Sequence, residues 1–215
     1  RLARSRSNRM AGATVNLNGM TLNTNGNTGV TLNGNSGPMT FTDLTMARTA
    51  GDTAFDIDAT VASTGTITIN GASSLGSAAG TAFLIGAGAR DIDATAVSIT
   101  NSLTTTGPVI SITGQSGGTI GFGDITNTGT TATNVIATTT QTAGTVNFGT
   151  VSITGFGDAS TDTAISLGGT GGTVNFTDLD INTTNGGGLN VDGITFAAGS
   201  TPTINATGGT ALTLN

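Results

Sequence analysis

The sequence predicts an all-β protein, a right-handed single-stranded parallel β-helix of about eight coils with three short strands per coil. Three observations carry that expectation. A phrase made of a small residue and then two apolar residues flanking a polar one recurs about every 26 residues. Apolar residues alternate strictly with polar ones inside each phrase, the two-residue period of a strand with one buried face. Thr and Gly are the commonest residues and Asn is frequent, charged residues make up only 8% of the chain, and neither property suits a helical surface.

Each coil reads as three phrases. The first is Thr14-Val15-Asn16-Leu17, Pro38 to Phe41, Thr66 to Ile69, Thr119 to Phe122, Thr145-Val146-Asn147-Phe148 and Thr173-Val174-Asn175-Phe176, with degenerate copies at Asp91 to Ala94 and Ile194 to Phe196. The second follows a tight corner as Met20-Thr21-Leu22, Leu44-Thr45-Met46, Val97-Ser98-Ile99, Val151-Ser152-Ile153 and Leu179-Asp180-Ile181. The third is Gly29 to Leu32, Ala54 to Ile57, Ala82 to Ile85, Val109 to Ile112, Val135 to Ala137, Ala164 to Leu167, Gly188 to Val191 and Ala211 to Leu214.

Alternation turns Val and Phe of Val-Asn-Phe inward and Asn outward. Stacked coils should therefore place Phe41, Phe122, Phe148 and Phe176 in similar interior positions. The same logic puts Thr21, Thr45, Ser98, Thr126, Ser152, Asp180 and Thr203 on one outer ladder. Corners carry Gly, Asn and Asp, which tolerate left-handed dihedrals or bond their own backbone; Asp43, Asp124 and Asp178 are expected to act in this way. A lone coil buries too little apolar surface to offset its ordering entropy, so only a stack is stable.

The run Gly172-Thr173-Val174-Asn175-Phe176-Thr177-Asp178-Leu179-Asp180-Ile181 and the Thr-Ala phrases at Thr53, Thr81, Thr163 and Thr210 resemble the β-strand-repeat regions of large bacterial secreted surface proteins. Autotransporter passengers and polymorphic adhesins are among them. The resemblance runs from about Ala13 to Asn215, and it implies an extracellular or cell-surface stalk, fibre or adhesin.

Charge is segregated. Of six Arg, Arg1, Arg4, Arg6 and Arg9 fall in the first ten positions, whereas all twelve acidic residues are Asp and lie beyond position 40. Residues 1–12 therefore read as a basic arm and residues 13–215 as the β-helix domain, the arm being expected either to fold back over the first coil as a cap or to dock on an acidic surface such as a neighbouring copy. The final phrase, Ala211 to Asn215, has no polar cap, which predicts end-to-end stacking of copies. Nucleic acid is not expected as a partner, because the acidic body repels phosphate and no aromatic platform accompanies the arginines. Surface glycans are a further candidate partner, although Trp and Tyr, the usual stacking residues, are absent. No run is long and apolar enough for membrane insertion, and no apolar signal-peptide core opens the chain, which reads as a mature or trimmed product.

The chain has no Lys, Glu, His or Cys, so no nucleophile and base can be paired and no cofactor is expected. Candidate chemistry reduces to two carboxylate pairs, Asp56/Asp58 and Asp91/Asp93, each in Asp-Ile-Asp-Ala-Thr and each sharing a strand face. A polysaccharide-binding or polysaccharide-cleaving β-helix would need them to converge with Arg48 or Arg90. They could also hold a cation weakly, calcium suiting hard oxygen donors best, and Gly121-Phe122-Gly123-Asp124 and Gly155-Phe156-Gly157-Asp158 resemble Gly-x-Gly-x-Asp calcium repeats without their tandem context. Outward Thr ladders raise a third class, ice binding. The sequence favours a non-enzymatic structural element over both.

Overall fold

The computed structural model describes residues 14–215, apart from 24–26, 34–36, 48–51, 59–64, 77–79, 103–104, 106 and 131–132. The basic arm, with Arg1, Arg4, Arg6 and Arg9, lies outside the described residues, as does Arg48.

The strands fall into eight rungs. Rung one holds β1 (Val15–Asn18), β2 (Thr21–Asn23) and β3 (Thr28–Leu32); rung two holds β4 (Met39–Thr42), β5 (Thr45–Ala47) and β6 (Asp52–Ile57). Rung three comprises β7 (Ile67–Asn70), β8 (Ser74–Gly76) and β9 (Gly80–Ile85), and rung four β10 (Ile92–Ala94), β11 (Ser98–Asn101) and β12 (Ile110–Thr113). Rung five contains β13 (Ser116–Phe122), β14 (Ile125–Asn127) and β15 (Ile136–Gln141). In rungs six and seven the first two strands fuse, giving β16 (Ala143–Phe156) with β17 (Thr163–Gly169), then β18 (Thr173–Thr183) with β19 (Gly187–Asp192). Rung eight returns to β20 (Thr195–Ala197), β21 (Thr203–Asn205) and β22 (Leu212–Leu214).

All strand pairings are parallel and join one rung to the next, as Val146 beside Val174 illustrates. Third strands form a sheet of eight, so about seven turns separate the first from the last, close to the eight coils the repeat predicts. First and second strands form two ladders that merge through β16 into one larger sheet. The expected parallel β-solenoid is therefore the fold.

The interior is one apolar column system. Ile67, Ile92, Ile120, Val146 and Val174 stack in register, and beside them run Phe41, Ile69, Ala94, Phe122, Phe148 and Phe176, all buried. The third strands bury a further position: Ala54, Ala82 and Ala164 are as inaccessible as the aromatic or aliphatic residue after each. The same column admits Val109 and Val135, but it narrows at Gly29 and Gly188, where a Cβ would crowd the Met46 side chain and the Ile204 methyl respectively. Three short strands, β8, β14 and β21, stand where no complete second phrase is legible.

One expected ladder divides in two. Thr21, Thr45, Ser74 and Ser98 share a row, but Thr126, Ser152, Asp180 and Thr203 belong to the neighbouring row, in line with Thr100. The cause is a change in corner length. From Phe41 to Met46 and from Ala94 to Ile99 the chain takes two residues more than from Phe122 to Ile125 or Phe148 to Val151, although these are equivalent columns. The longer corners insert Leu44 and Val97 into the core, whereas Gly123 turns the shorter corner of rung five. With so little left to turn, β16 and β18 run through their corners as continuous strands.

Candidate functional site

The two carboxylate pairs lie on different sheets. Asp56 is on β6 with Asp58 just beyond it, among the third strands, while Asp91 and Asp93 flank Ile92 on β10 of the larger sheet. No single groove holds all four.

Asp91 and Asp93 line an open groove of about 440 Å³ with Thr66, Thr95, Thr119 and Asn147. The groove exists because Gly121 stands between Asp93 and Asn147 in its row and has no side chain to fill the step. Its carboxylates already accept structural hydrogen bonds. Asp91 Oδ1 takes the Thr119 N–H at 2.7 Å, and Asp93 Oδ1 takes the Thr95 hydroxyl at 2.6 Å and the Thr95 N–H at 3.2 Å. Both are exposed, and among the described residues no group of three or more acidic, His or Cys side chains could hold a metal ion.

Arg90 precedes Asp91 in sequence but does not line that groove. It is 2% exposed; its Nε donates to the Gly65 carbonyl at 3.2 Å and its Nη2 to the Gly37 carbonyl at 2.8 Å. Those carbonyls belong to the chain entering the two preceding rungs, so one side chain ties three rungs together. Burial strips water from the guanidinium and pushes its pKa below the ordinary arginine value.

The corner aspartates act between rungs instead of within their own turns. Asp43 Oδ1 accepts the Ala72 N–H at 2.8 Å, and Asp124 Oδ1 accepts the Thr150 N–H at 2.8 Å, each from the rung above. Asp91 does the same for Thr119. Asp178 comes closest to the expected local role, accepting the Leu179 N–H at 3.0 Å while the Thr201 hydroxyl also reaches it. The left-handed dihedral expected of such residues is present at Asp43, with φ of 52°. In the Gly-x-Gly-x-Asp lookalikes, Phe122 and Phe156 are buried in the core, Asp124 is an inter-rung acceptor, and the Asp158 N–H donates to Asp162 Oδ2.

The outer faces are polar and short in period. The longest unbroken Thr column is Thr119, Thr145, Thr173 and Thr195, and Asp91 ends it below. Beside it Asn175 Nδ2 donates to Asn147 Oδ1 at 2.9 Å. Further amide pairs join Asn101 to Asn127 inside the solenoid and Asn205 to Asn182 outside. Such bonds were not legible in advance, because they depend on rungs about 26 residues apart coming into register.

Among the described residues no helix is long and apolar enough to cross a membrane. Comparison with protein-family models, with curated proteins and with solved structures yields no match.

Proposed function

We propose that this chain is a rigid, non-enzymatic structural element of a microbial cell surface or extracellular matrix, acting as a stalk segment or as the repeating body of a fibre. The observation that carries the reading is where the polar side chains are spent. Asp43, Asp91, Asp124 and Arg90 all bond backbone of neighbouring rungs, so these charged side chains serve to hold the stack. A parallel rung adds by the same ladder whether it comes from one chain or from another copy, so a fibre and a longer stalk use the same physics. Uncharged Thr and Asn faces keep such a rod hydrated without demanding a counter-charge.

Electron microscopy of native material, with antibody labelling of intact cells, tests this. Surface label on slender rods or uniform threads is the expected result. Label that appears only after the cells are permeabilised overturns it.

A second reading, binding of ordered water at an ice surface, is favoured by the Thr119–Thr195 column alone. Thermal hysteresis lost on replacing Thr145 with Tyr would support it, and absence of hysteresis in the unaltered chain would dismiss it.

A further inference from the structure

Among the described residues, two buried glutamines have side-chain hydrogen-bonding capacity that nothing meets. Gln115, between β12 and β13, is 2% exposed, and Gln141, closing β15, is 1% exposed. They stand on adjacent rungs, since the Thr142 N–H donates to the Gln115 carbonyl at 2.9 Å. Gly88 bridges to Gln115 from below and Gly169 pairs with Gln141 from above, so the two amides are bracketed by residues without side chains.

Gln115 Nε2 donates to the Gly117 carbonyl at 3.2 Å and more weakly to that of Gly118 at 3.5 Å. Among the described residues its Oε1 has no partner, and neither Oε1 nor Nε2 of Gln141 has one. Elsewhere the solenoid pairs stacked amides directly, as in Asn101 to Asn127 at 2.6 Å. The glutamines break that pattern.

We propose that Gln115 and Gln141 enclose an internal water site that links rungs four and five sideways. The unmet groups are one amide nitrogen and two amide oxygens, which a water can serve by accepting from the first and donating to the others. Leaving all three dry costs more than immobilising a water. Bare backbone makes room for the two amides themselves. A Cβ at Gly144 would stand 2.8 Å from Gln115 Nε2 and one at Gly172 2.6 Å from Gln141 Nε2; both glycines have positive φ, 85° and 93°. The inference concerns the interior and is independent of the proposed function.

The test combines a crystal structure of the unaltered chain at atomic resolution with urea unfolding of Gln115→Met, Gln141→Met and the double variant. Ordered water within hydrogen-bonding distance of both amides is expected. Each single variant should lower the urea midpoint, because the remaining amide loses its bridging partner, and the double variant should regain most of the loss. Three results would overturn the proposal: amides bonded directly to each other with no water between them, an oxygen-coordinated cation at the site, or a midpoint that rises with Gln141→Met alone.

Discussion

The ring of Phe83 meets that of Phe122 edge-on, with centroids 5.0 Å apart and planes at 62°, although the two residues belong to different sheets. Directly below Phe122 in its own column is Ala94, whose single methyl leaves that part of the interior to Phe83. The aromatic run starts at Phe41, crosses to Phe55 and Phe83 on the third strands, returns to Phe122 and continues through Phe148 and Phe176 to Phe196. Seven of the eight phenylalanines thus form one spine that changes sheets where its first column holds Ile69 and Ala94.

That exchange of volume predicts coupling between Phe83 and Ala94. Phe83→Ala should cost about 3–5 kcal/mol as a buried cavity, and Ala94→Phe about 1–3 kcal/mol as overpacking. The double variant, which moves the ring from one sheet to the other, should be more stable than the sum of the two losses implies. Urea unfolding of the four chains measures the coupling, and strict additivity would show that the two positions do not share space.

Arg90 predicts a sharper loss than its position beside a surface groove suggests. Its planar fork reaches the Gly65 and Gly37 carbonyls at once, and a lysine ammonium cannot reproduce that geometry. Arg90→Lys should cost about 1.5–3 kcal/mol, the value of one hydrogen bond to a charged group. Amide hydrogen exchange would place the loosened backbone in rungs two to four; unchanged protection there would refute the clip.

The corner aspartates predict a distinction between amide and methyl. Asp124→Asn keeps an oxygen for the Thr150 N–H and should stay close to the unaltered stability, while Asp124→Ala removes the acceptor and should cost about 0.5–1.5 kcal/mol. Equal losses in urea for both would mean that the charge, and not the inter-rung hydrogen bond, matters.

How much of this was legible follows from what alternation encodes. A two-residue period says which side chains point inward, and it located the Val146–Val174 column and the Phe41, Phe122, Phe148 and Phe176 positions correctly. It does not say how long a corner is. Val97-Ser98-Ile99 and Val151-Ser152-Ile153 read as the same phrase, yet Ile99 shares a column with Val151 and Asn101 with Ile153, because the corner before β11 is longer. One two-residue offset preserves every inward and outward assignment while moving each outer residue to the next row, so the error is invisible to pattern alone. The inter-rung bonds of Arg90, Asp43 and Asp124 escaped the sequence for a related reason: their partners sit a rung or more away in the chain.

Glycine at rung-to-rung approaches makes the last prediction, because two positions of identical chemistry should respond in opposite directions. Gly157 has φ of 93°, and a Cβ there would collide with the Asn185 carbonyl oxygen on the next rung, so backbone must move to admit it. Gly107 lies in a bend with no described atom within 4 Å of its would-be Cβ and no positive φ. Gly157→Ala therefore carries at least the roughly 1–2 kcal/mol of a left-handed non-glycine residue, with the steric clash added. Gly107→Ala should instead stabilise by about 0.4–1 kcal/mol, by restricting the unfolded chain. Urea midpoints moving down for the first and up for the second would show that adjacent rungs pack backbone against backbone at Gly157; a tolerated alanine there would mean that the two rungs are further apart than the ladder requires.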